Sequence, residues 1–135
     1  MWRTLAVLAI VLTAHATTND NYRDLLCKTP DLAASCIQFH GRLSAGNGTP
    51  AVRLWQIGTH HIYGIYSNRY GFTHDGPTLD NESPEIPPAV TKQIPHQGGW
   101  TIYGDFEACP LEPRIQGHMQ AACIASAKNV VAPKN

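Results

Sequence analysis

Apolar residues recur at every second position in four separate stretches of this chain, and that period limits the fold more than any other feature. In Ser35–Leu43, Ile37, Phe39 and Leu43 fall on one face, with Gln38, His40 and Arg42 on the other. Ala51–Ile57 and His60–Tyr66 repeat the alternation. They are separated from their neighbours by Ala45-Gly46-Asn47-Gly48-Thr49-Pro50, dense in turn formers, and by Gly58-Thr59. These three segments read as an antiparallel meander, with a further strand expected near Tyr70–Thr73. In Gly99–Cys109, Trp100, Ile102, Phe106 and Ala108 share one face, and Thr101, Tyr103, Asp105 and Glu107 share the other. Residues 118–131 combine alanines that suit a helix with Cys123-Ile124 and Val130-Val131, which suit a strand. A strand returning beside Gly99–Cys109 is the expectation; a helix there would make the fold α+β. The class is therefore mainly β, a small antiparallel sandwich or partly open barrel.

Between His74 and Gly99 the alternation stops. Five of the ten prolines fall here, and proline cannot donate to a ladder, so the stretch reads as a long loop, either mobile or ligand-binding. Paired Pro87-Pro88 can open a short helical turn running to Gln93.

The N-terminus reads as an export signal. Arg3 is followed by an apolar run, Thr4–Thr13, and by Ala14-His15-Ala16, the small-x-small pattern of a signal peptidase site between Ala16 and Thr17. The run falls short of the roughly 20 residues that span a bilayer, so the mature chain 17–135 is expected as one domain without an integral membrane anchor. Losing Arg3 leaves nine Lys/Arg against ten Asp/Glu, a mature charge of about −1. A nucleic-acid partner is not expected from that balance, because phosphate binding requires a clustered basic surface.

Behind an export signal, Cys27, Cys36, Cys109 and Cys123 read as two disulfides rather than metal ligands. Short enclosed segments favour Cys27–Cys36 with Cys109–Cys123. A bond from Cys36 to Cys109 or Cys123 across sheets is the competing arrangement.

Candidate sites are sparse, and no cofactor fingerprint is present. Trp55 and Arg53 share a strand face, and with Tyr63 they could stack on a sugar or receive a peptide; the ligand and partner stay open, with an envelope protein or a glycan among the candidates. Among the histidines, His60 and His61 point to opposite faces of a strand, so a metal site would have to be assembled from separated positions such as His40, His60 and His118. Asp105 and Glu107, two apart on one face, could form a general acid–base pair, though the wet face of a strand commonly carries such residues. The expected role is a non-enzymatic exported binding or accessory module. A metal binder is second, and a small hydrolase third.

The blocks His40–Ile65, Tyr103–Leu111 and Met119–Val131 resemble a group of small exported bacterial proteins of unassigned activity. The likeness rests on Gly41-Arg42-Leu43-Ser44, Asn47-Gly48-Thr49-Pro50, Arg53 and Trp55, and on Gly104-Asp105-Phe106 with Cys109-Pro110. It implies that Cys36, Cys109 and Cys123 belong to a shared pattern, and it carries over no catalytic residue. Gly41-Arg42-Leu43, the Asn-Gly-Thr-Pro turn and Val52–Trp55 are more weakly similar to transthyretin-like β-sandwich modules.

Overall fold

The computed structural model describes residues 27–28, 30–66, 72–73, 76–77 and 84–134. The export signal and its cleavage site at Ala16–Thr17 lie outside the described residues. In chain order the elements are α1 (Pro30–Ala33), β1 (Ile37–Ala45), β2 (Val52–Gln56), β3 (Ile62–Ile65), β4 (Phe72–Thr73), β5 (Gly76–Pro77), α2 (Pro88–Thr91), β6 (Trp100–Pro110) and β7 (Gln120–Val131). The mainly β expectation holds. Residues 120–131 are strand, and the expected meander is β1–β2–β3.

Five strands close into a barrel in the order β1-β2-β3-β7-β6, with β6 returning to β1. Every pairing in the barrel is antiparallel except β3 with β7, which are parallel. Counting barrel strands alone, this is the Greek-key order of an OB-type barrel, closed between its third and fifth strands. The start of β7 lies between β6 and β3, with Ala122 paired to Pro110 on one side and to Ile65 on the other. Register shifts between Tyr103/Asp105 and Glu107/Ala108 interrupt the β6–β7 ladder, and such irregularities kink and twist a strand.

The alternation now has a destination. Leu43, Leu54, Tyr63, Ile65, Ile102, Phe106, Ala108, Ala122 and Ile124 fill the interior. Gly41 belongs to the same inward row. A Cβ there would stand 2.8 Å from Leu54 Cδ1 and 3.2 Å from Phe106 Cδ2, so only glycine leaves room for the two larger side chains.

The Pro-rich stretch is more structured than a plain loop. β4 and β5 form their own two-stranded sheet. The proline at the start of α2 needs no N–H, which lets the short helix form and bring Val90, fully buried, onto the core beside Ile86. Gln93 then ties this cap to the end of β7. Its Nε2 donates to Val130 O (2.8 Å), and its Oε1 accepts from Ala132 N (3.1 Å).

Two disulfides are present, Cys27–Cys123 and Cys36–Cys109, which corrects the short-range pairing favoured on loop length. The reason is register. Ile37 pairs with Ala108, so the preceding residue, Cys36, falls opposite Cys109 across β1 and β6. Cys27 comes from the segment before α1 and reaches Cys123 on β7, and the sulfurs are packed with Ala125 and Leu111 on the outside of the barrel. Two disulfides fit an oxidising, extracytoplasmic compartment. Among the described residues no helix is long and apolar enough to cross a membrane.

Candidate functional site

At one end of the barrel the β2–β3 turn faces the β6–β7 loop, and between them lies a cleft of about 480 Å³. Both walls are held by hydrogen bonds. In the turn, Gly58 adopts φ +86°, which lets Thr59 N reach back to Gln56 O (3.1 Å). Thr59 Oγ1 donates to Gln56 O (2.7 Å) and accepts from His61 N (3.0 Å), while Trp55 Nε1 donates to Thr59 O (2.8 Å). In the loop, His118 N donates to Ile115 O (3.1 Å), and Glu112 Oε1 accepts from Ala121 N (2.8 Å).

A buried polar relay joins the two walls. Gln120 Nε2 donates to Glu112 O (2.8 Å), which turns Gln120 Oε1 toward His61 Nε2 at 2.9 Å. The amide orientation requires His61 Nε2 to be the donor. The His61 ring also meets Tyr63 edge-on, with centroids 4.3 Å apart. Burial raises the Tyr63 phenol above its ordinary value, with Arg114 pulling it back down. Burial also raises Tyr66, and the Glu112 carboxylate adds to that shift.

His60, Arg114 and His118 line the cleft together with Ile62, Ile115 and Met119. These last three are 40%, 60% and 37% exposed. They are three of the five large hydrophobic residues left exposed among the described residues, and they converge on one concavity. Apolar surface collected this way marks a binding site more than scattered exposure does.

The sequence candidates divide around this site. Tyr63 is not beside Trp55: β2–β3 register pairs it with Leu54, so it shares Leu54's inward face and stacks on Phe39 at 5.6 Å. Trp55 pairs instead with Ile62 on one side and Arg42 on the other. The cation over its ring is Arg42, 5.0 Å from the centroid, while Arg53 turns back to donate to Pro50 O (3.3 Å). The row Arg42–Trp55–Ile62 thus runs across three strands to the edge of the cleft.

Of the three separated histidines, His60 and His118 meet at the cleft and His40 does not. His60 is exposed and His61 buried, yet both border the cleft, and both precede β3 rather than lying on a strand. His40 is the β1–β6 register partner of Asp105, and its Nδ1 lies 2.9 Å from Asp105 Oδ1 on the open barrel wall. Asn129 Nδ2 donates to Asp105 Oδ2 at 2.8 Å. These two hydrogen bonds, that from Asn129 first, lower the Asp105 pKa. Glu107 accepts from Lys28 and from Ser126 Oγ (3.2 Å). Both carboxylates are therefore held by cross-strand or tethering partners. The lowered pKa of Asp105 also suits a fixed negative charge rather than a proton donor.

Within the described residues, one set of three possible metal ligands lies close together, Cys27, Cys109 and Cys123, and all three are disulfide-bonded. Sequence reasoning missed Arg114, Ile115 and Met119. The available signal was Ile115, a large aliphatic residue, beside Arg114 in the connection between two strands.

No family model matches this chain, and neither the curated proteins nor the solved structures include one that is significantly similar to it.

Proposed function

We propose that this chain is an exported, non-enzymatic binding module that takes a small ligand in the cleft between the β2–β3 turn and the β6–β7 loop. The observation that carries this reading is the convergence of exposed Ile62, Ile115 and Met119 with His60, Arg114 and His118 on two turns set on a disulfide-tied barrel. Loops held by a rigid scaffold are where binding residues concentrate. The fold offers an analogy as well. In OB-type barrels the second and third strands and the loop between the fourth and fifth carry the ligand, and here these are β2, β3 and the β6–β7 loop. The partners already engaged by Asp105 and Glu107 support a binding role over acid–base catalysis.

The test is native mass spectrometry of the full chain's product recovered from the extracytoplasmic fraction of the producing cell. The expected species starts at Thr17, carries two disulfides and retains a small-molecule adduct that Met119→Asp removes. A cytosolic product with four free thiols would overturn export, and hydrolytic turnover abolished by Asp105→Asn or Glu107→Gln would overturn the non-enzymatic role.

The second reading, an extracytoplasmic metal binder, draws on His60 and His118 bordering one cleft with Met119, since imidazole and thioether are ligands for soft metals. Elemental analysis of the untagged protein tests it. Stoichiometric copper or zinc lost in His60→Ala supports it, and substoichiometric metal rejects it.

A further inference from the structure

Given the cleft as the binding surface, a reading on which the choice of ligand rests, we propose that it takes an amphiphilic monoanion: a small carboxylate carrying an aliphatic chain. Two properties of the lining point there together. The first is charge. The chain as a whole balances ten basic against ten acidic residues, yet the ionisable groups lining the cleft are Arg114 and the histidines 60, 61 and 118. No described Asp or Glu lines it. Glu112, the acidic residue of the same loop, has turned its Oε1 to the backbone N–H of Ala121 and lies outside the lining. An arginine in this setting presents a planar fork of donors that matches a carboxylate with two parallel hydrogen bonds.

The second property is the apolar surface beside that fork. Ile62 stands on β3, and Ile115 and Met119 on the opposing loop, so an alkyl chain entering the cleft meets aliphatic side chains from both walls. Methionine suits such a wall, because its unbranched thioether adapts to chains of different shape. The volume of about 480 Å³ falls in the range that houses small organic ligands. A simple inorganic anion would leave the apolar walls wet, and a neutral hydrocarbon would leave the arginine fork unused.

Amide chemical-shift titrations on the disulfide-bonded protein test this with three probes of equal chain length: octanoate, octanol and octylamine. Octanoate is expected to shift the amides of residues 60–62 and 114–119 saturably. Arg114→Gln should weaken it by about tenfold or more, the size expected on losing a hydrogen bond to a charged group. Arg114→Lys, which keeps the charge without the fork, should fall between. Arg114 is exposed, and the dispersion of the variant spectra checks that the barrel is intact. Octanol or octylamine shifting the same amides while octanoate stays silent would overturn the anionic ligand and leave the cleft as a binding surface. Silence of all three probes, or octanoate affinity unchanged in Arg114→Gln, would overturn the proposal outright.

Discussion

Cys109 and Cys123 are register partners across β6 and β7, yet each is bonded to a different cysteine, Cys36 on one side and Cys27 on the other. The two bridges thus tie the start of β1 to the end of β6, and the segment before α1 to the start of β7. Sequence separations of 73 and 96 residues make both of them long-range clamps. They hold the strand ends from which the β6–β7 loop, one wall of the cleft, departs.

Peptide mapping under non-reducing conditions should recover Cys27 linked to Cys123 and Cys36 linked to Cys109. Recovery of Cys109 linked to Cys123 would contradict this pairing. The double variant Cys36→Ser/Cys109→Ser should lose about 2–4 kcal/mol in denaturant unfolding, because closing a long loop restricts the unfolded chain most.

Gly41 and Leu54 test the interior. Leu54→Ala, at a fully buried position, should cost about 2–5 kcal/mol by leaving a cavity. Gly41→Ala adds one methyl where a Cβ would lie 2.8 Å from Leu54 Cδ1, and should cost about 1–3 kcal/mol by overpacking. Combining the two should cost less than the sum, since removing Leu54 Cδ1 makes room for the new methyl.

Asp105 sets an acid-side dependence. Its hydrogen bonds from Asn129 and His40 lower the folded-state pKa below the ordinary 3.8. A lowered carboxylate pKa contributes stability that is complete above the unfolded value and is lost as pH falls through the folded one. The melting temperature of Asp105→Asn should therefore lie slightly below the parent at pH 6 and converge with it as pH drops below the ordinary carboxylate value. A gap that widens on acidification would contradict this sign.

Much of the barrel is legible from period two alone. Alternation places Phe39, Leu43, Leu54, Ile102 and Phe106 on inward faces, and all of them belong to the core or pack against it. It cannot say which strands pair beyond neighbours in sequence. The β1–β6 ladder and the parallel β3–β7 closure depend on strand twist and on the bulges in the β6–β7 pair, which leave no simple mark in the residue pattern. The short-range disulfide pairing fails for the same reason, because Cys36 opposite Cys109 follows only once that ladder is known. Tyr63 shows how far a single register step matters. As partner of Leu54 rather than Trp55 it belongs to the interior, and the exposed aromatic site shrinks to Trp55 under Arg42. The cleft is legible only in fragments, since the sequence separates His60 on one wall from Arg114 on the other by the whole of β3, the Pro-rich stretch and β6.

The most direct measurement of the central claim is amide shift mapping of the disulfide-bonded protein against an unbiased library of small fragments. The cleft account predicts that whichever fragments bind will perturb residues 60–62 and 114–119 together, and that Met119→Asp will remove those shifts while preserving the spectrum elsewhere. Perturbations centred instead on His40 and Asp105 on the β1–β6 wall, with the cleft amides unmoved, would contradict it.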